Sequence, residues 1–95
     1  MSRFTVRIEL HDAEWEDYDS LHAAMEDQGF SRLITGDNGV TYHLPWAEYN
    51  REGALTTGQV LNVAQSAADS TGKNNSVFVT ESGGRRWSGL QAVEG

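Results

Sequence analysis

Apolar and polar residues alternate from the start of the chain: Phe4, Val6, Ile8 and Leu10 are separated by Thr5, Arg7 and Glu9. A period of two puts every second side chain on one side of an extended backbone, so Arg3 to Leu10 is predicted to be a strand with one buried face. The rhythm then changes. Trp15, Tyr18, Leu21, His22 and Met25 recur at the three- and four-residue intervals of one helix face. Asp12 stands where a carboxylate caps such a helix, Glu14, Glu16 and Asp17 suit the positive end of its dipole, and Gly29 accepts the left-handed conformation that stops it. The predicted helix runs roughly from Ala13 to Gln28.

Two short strand-like runs follow, Phe30 to Thr35 and Val40 to Leu44, and Gly36-Asp37-Asn38-Gly39 between them suits a tight hairpin. Pro45 has no amide hydrogen and ends the second run, and the segment from Trp46 to Gly53 can be loop or a short edge strand. Thr56 and Gln59 have capping-box spacing, and Val60, Leu61, Ala64, Ala67 and Ala68 form a narrow apolar stripe that Gly72 ends. Its small alanines let this second helix lie close to a sheet. Ser76 to Glu81 reads as a strand with Val77 and Val79 on one face, Ser82-Gly83-Gly84 as a turn, and Arg85 to Leu90 as a last short strand pairing back. The order is β-α-β-β-α-β. It predicts an α+β ferredoxin-like sandwich, an antiparallel sheet with two helices on one face, as a single domain over residues 1–95 with a frayed tail at 91–95.

Composition narrows what such a domain can do. The 95 residues, 38% of them apolar, suffice for one core. Fourteen acids against seven bases give a formal charge of −7, which repels nucleic acid on average, so nucleic-acid binding requires a local basic patch. The chain has no cysteine, hence neither disulfides nor thiolate metal sites, which fits a reducing compartment and makes a cytoplasmic location the expectation. The apolar runs are short and the alternation begins at once, so neither a signal peptide nor a membrane span is expected.

Arg3, Arg7 and Arg32 fall on neighbouring predicted strands, where alternation can put them together on the sheet face opposite the helices, beside Thr5, Thr41 and His43. Guanidinium groups there would hold a phosphodiester, and an imidazole can transfer a proton near neutral pH. Tyr42, Trp46 and Tyr49 offer rings on which unpaired bases can stack, and Arg85, Arg86 and Trp87 combine charge with an aromatic. On the first helix His22 lies three residues after Asp19 and four before Glu26, the spacing of a metal or proton-transfer site, but seven acids crowd this helix and a half-buried helix histidine is the better reading. A helix cap alone accounts for Asp12. No phosphate-binding glycine loop or nucleophile elbow is present, and no metal or cofactor is assigned.

The opening Arg3-Phe4-Thr5-Val6-Arg7-Ile8-Glu9-Leu10-His11, the segment from Tyr18 to Gly29 with Phe30-Ser31-Arg32, and Tyr42-His43-Leu44-Pro45 followed by Ala47-Glu48-Tyr49 together resemble the GhoS family. Thr80-Glu81 and Arg86-Trp87 continue the likeness. The resemblance implies a ferredoxin-like endoribonuclease antitoxin of a type V toxin-antitoxin system, similar to CRISPR-associated nucleases of that fold, which cuts a toxin's messenger RNA. The residues themselves then suggest His43 and Arg32 as the catalytic pair, and Arg7, Tyr42, Trp46 and Arg86 as contacts to single-stranded RNA, whose bases are free to stack. The alternative is a non-enzymatic module whose acidic first helix, with Asp12, Glu14, Glu16, Asp17, Asp19, Glu26 and Asp27, docks on a basic protein partner or imitates nucleic acid. Exposed sheet edges also leave a homodimer open.

Overall fold

In the computed structural model, which describes residues 2–93, the predicted rhythms become β1 (Ser2–Leu10), α1 (Trp15–Asp27), β2 (Leu33–Thr35), β3 (Thr41–His43), β4 (Glu48–Gly53), α2 (Thr57–Asp69) and β5 (Asn75–Glu81). β1 is the middle of a three-stranded antiparallel sheet ordered β4-β1-β5, and β2 and β3 form a separate antiparallel hairpin. Phe4, Val6, Ile8 and Leu10 are buried against Leu21 and Met25 of α1 and Val60, Ala64, Ala67 and Ala68 of α2, so both helices cover the same face of β1. Each large apolar side chain removed from water there contributes about 1.5–3 kcal/mol, while the alanines of α2 keep that helix close to the strands.

Capping sets the helix boundaries. Thr56 Oγ1 accepts from the Gln59 N–H at 3.1 Å and Gln59 Oε1 accepts from the Thr56 N–H at 2.9 Å, the reciprocal pair its spacing predicts. α1 departs from expectation. Asp12 adopts a left-handed backbone (φ 53°) in the turn after β1, so the cap position passes to Glu14, whose N–H donates to the Asp17 carboxylate at 2.8 Å.

The segment from Trp46 to Gly53 is where tertiary structure decides. Glu48–Gly53 is the β4 neighbour of β1, and Pro45 to Ala47 form a kink, with Ala47 at φ 61° and the Glu48 N–H donating to the Pro45 carbonyl at 3.1 Å. That kink separates β3 from β4. The hairpin stays attached through Ser31 and Asn50, which exchange backbone hydrogen bonds of 2.8 and 2.6 Å, and through the Leu44 N–H donating to the Arg32 carbonyl at 2.8 Å.

No strand forms over residues 85–90. The chain instead runs from the end of β5 across the sheet face away from the helices and reaches β3, where the His43 N–H donates to the Gln91 carbonyl at 2.9 Å and the Val93 N–H to the Thr41 carbonyl at 2.8 Å. Residues 91–93 of the expected frayed tail are thereby held on β3, while the last two residues of that tail lie outside the described residues. Among the described residues no helix is long and apolar enough to cross a membrane.

Candidate functional site

The alternation that buries Phe4, Val6 and Ile8 turns Arg3, Thr5 and Arg7 to the outer face. Arg3 stands opposite Glu52 and Arg7 opposite Glu48 in the β1–β4 ladder, so each base on this face has an acidic cross-strand neighbour. Arg85 comes in from the crossing C-terminal segment. Its Nη1 donates to Asn50 Oδ1 at 2.7 Å and to Thr5 Oγ1 at 3.4 Å, and its pKa is lowered by burial first and by neighbouring Arg3 second, with Glu52 acting the other way.

Arg3, Arg85 and Arg86 thus converge on one open cleft of about 540 Å³, whose other wall carries Asn38, Tyr42 and Trp87. Tyr42 and Trp87 pack edge to face with ring centroids 5.6 Å apart, and Asn38 Nδ2 donates to the Tyr42 hydroxyl at 3.3 Å. Trp87 lies so close over Gly36 that a Cβ there would come within 3.3 Å of its ring, so the glycine provides the seat for the indole. Guanidinium groups beside two edge-packed rings can hold phosphate and stack bases.

Arg32 is not part of this patch. Arg32 sits at a bend between the Ser31–Asn50 bridge and β2, and it lines a cleft with Glu26 of α1 instead of the cleft of Arg3, Arg85 and Arg86. Arg32 and His43 do come together, in a second cleft of about 460 Å³ with Glu26, Ser31 and Leu33. An imidazole, a guanidinium and a carboxylate around one cleft are groups suited to proton transfer and phosphate binding. Arg7 lines neither cleft but a small depression with Glu9 and Phe78 on the outer face. The expected common patch of Arg3, Arg7 and Arg32 with His43 therefore does not form.

The expected row of stacking rings is also divided. Tyr42 belongs to the outer cleft, whereas Trp46 packs on α1 against Trp15, Tyr18 and His22, at centroid distances of 4.9, 5.5 and 5.0 Å. Tyr49 is fully buried and presents no face to a ligand. Its hydroxyl and His22 Nδ1 share a hydrogen bond of 2.6 Å; in a neutral ring either the phenol donates to Nδ1 or Nδ1–H donates to the phenol oxygen. Among the described residues Nε2 has no partner, and His22 is only 5% exposed. Burial first and Arg32 second lower the His22 pKa, against the opposing charges of Asp19 and Glu26, and burial raises that of Tyr49. The His22 ring thus faces the core instead of Asp19 and Glu26, and among the described residues no three histidine, aspartate or glutamate side chains are arranged to hold a metal ion.

Glu26 in the Arg32 cleft and the His22–Tyr49 pair are what sequence reasoning missed. Glu26 looked like one more acid of a charged helix, and nothing in the sequence pairs Tyr49 with a histidine 27 residues away. No family model matches this chain, and no curated protein matches it.

Proposed function

We propose that this chain is a small single-stranded RNA-binding domain of ferredoxin-like architecture that acts as an endoribonuclease antitoxin of the kind it resembles. The observation that carries the reading is the convergence of Arg3, Arg85 and Arg86 with the Tyr42–Trp87 pair on one cleft of an otherwise acidic protein. Three guanidinium groups against the single carboxylate of Asp37 in the lining supply a local positive excess that a −7 chain lacks on average, and two rings supply stacking surfaces. The architecture is supported by strand order. If the Ser31 bridge is taken as the continuation of the hairpin, the sheet runs β5-β1-β4-β2 with β3 and β4 as one kinked strand, the order of a ferredoxin-like fold.

Cleavage is assigned to the cleft on the other face of the β2–β3 hairpin, where Leu33 and His43 stand opposite each other in register. His43 takes the proton from a ribose 2′-hydroxyl, whose oxygen attacks the adjacent phosphorus; Arg32 stabilises the added negative charge as the bond to the 5′-oxygen breaks. Water protonates the leaving oxygen, and the products are a 2′,3′-cyclic phosphate and a 5′-hydroxyl. Arg7 and Trp46 line neither of these clefts and have no part in this path.

The test measures binding and cleavage of an unstructured RNA by the purified protein and by Arg86→Ala, Trp87→Ala and His43→Ala variants. Arg86→Ala and Trp87→Ala are expected to weaken binding by about 5- to 100-fold each, the range for loss of one stacking or phosphate contact, and His43→Ala to bind normally without cutting. Absence of binding by the unaltered protein at low salt removes the reading. Binding without cleavage removes only the enzyme.

A further inference from the structure

We propose that the surface cleft where Trp15 meets Trp46 beside Glu14 is a docking site for a cationic side chain, arginine or lysine, carried on a basic peptide segment of a partner protein. Trp15 is 72% exposed and Trp46 49% exposed, yet the two indoles pack edge to face at 4.9 Å with Tyr18 5.5 Å from Trp46. With Ala13 and Glu14 these three rings line a depression of about 260 Å³, the scale of one long side chain. Two adjacent exposed tryptophans form the kind of anchor that carries binding energy in interfaces, and isolated folding gives no reason to leave them in water.

Charge selects the occupant. Aromatic faces attract cations, and Glu14 in the lining, with Glu16 next to Trp15 and Asp19 one turn further along α1, adds negative potential around the rings. The positive end of the α1 dipole is offset by the carboxylates of Glu16 and Asp17 in its first turn and of Glu14 at its cap. Lys73 is engaged with Asp17 at 3.7 Å. A phosphate would meet the acids, whereas an arginine can lay its stem on the indoles and its guanidinium against Glu14. The site lies on the helix side, apart from the Arg3–Arg85–Arg86 cleft, and does not rest on the RNA reading.

The experiment is a calorimetric titration of the full chain with a capped peptide of alternating arginine and alanine, and with the same peptide carrying citrulline for arginine, which keeps shape and removes charge. Saturable binding of the arginine peptide, weakened about 5- to 30-fold in Trp15→Ala and by a smaller factor in Glu14→Gln, is expected, with Arg86→Ala unchanged. Trp15 is exposed, so its replacement leaves the fold intact, which a thermal melt verifies. Equal affinity for the citrulline peptide, no saturable binding, or no effect of Trp15→Ala overturns the proposal. So does a concentration-dependent dimer abolished by Trp15→Ala, since a second copy would then be the occupant.

Discussion

The two sides of β1 use the same kinds of residue for opposite ends. On the helix side a tyrosine and a histidine are withdrawn from water and bound to each other, Tyr49 hydroxyl to His22 Nδ1 at 2.6 Å, and their polar atoms serve the core. On the outer side Tyr42 and the guanidinium groups of Arg3, Arg85 and Arg86 surround an open cleft, and although Arg85 Nη1 is bonded to Asn50 and Arg86 Nη1 to the Arg85 carbonyl, these groups border space open to water and to a ligand. Residue type alone does not separate structural from functional groups here. Burial and strand parity do, because a hydrogen bond formed away from water is lost at the full cost of an unsatisfied partner, whereas one formed at the surface is replaced by water.

That contrast is broken most forcefully at Tyr49. Tyr49→Ala empties a fully buried site and is expected to lower stability by about 3–5 kcal/mol, while Trp87→Ala in the outer cleft leaves stability within about 1 kcal/mol. Urea unfolding of both variants measures the difference; equal losses would mean that the two sides are not distinct in kind.

A finer test removes only the hydroxyl. Tyr49→Phe strips His22 of its remaining partner and is expected to cost about 1–3 kcal/mol by the same unfolding measurement. The histidine also fixes a pH dependence. Its pKa in the folded protein lies below the ordinary 6.5, so as pH falls through 6.5 the unfolded chain takes up a proton that the folded protein refuses, and stability drops until the lowered folded pKa is reached. Unfolding curves between neutral pH and the carboxylate range are expected to show this decline, and His22→Gln to flatten it. A histidine contribution that rises on acidification would contradict the burial.

The smallest expected effect concerns the segment that carries Arg85, Arg86 and Trp87. Val93→Pro removes the N–H that donates to the Thr41 carbonyl, and a loss of about 0.5–1.5 kcal/mol is expected, with faster amide exchange at the His43 N–H, whose acceptor is Gln91. Unchanged exchange would show that the outer cleft does not depend on this anchorage.

Much of the frame was legible in the chain. The alternation at Phe4, Val6, Ile8 and Leu10, the Thr56–Gln59 capping box and the alanines of α2 predicted elements that formed, because each depends on residues close in sequence. Trp15 shows the limit of such patterns. It shares the helical spacing of Leu21 and Met25 but sits at the first turn of α1, beyond the sheet's cover, and lies 72% exposed. The cap shifted from Asp12 to Glu14 because the turn after β1 demanded a left-handed residue.

The candidate site was legible only in pieces. Arg85, Arg86, Trp87 and Tyr42 were singled out separately, but that they meet depends on the C-terminal segment crossing the sheet instead of pairing as a strand over 85–90. His43 and Arg32 did come together, yet in a cleft that Arg7 does not line. Periodicity fixes which residues of one strand share a face, since that follows from the geometry of a single backbone. It cannot fix the register between strands, and a shift of one residue exchanges the faces. The sequence by itself determined the elements, their order and the buried stripe of each; the kink at Pro45 to Ala47, the Ser31–Asn50 bridge and the path of the last residues decided which arginines gather, because those are contacts between segments distant in the chain.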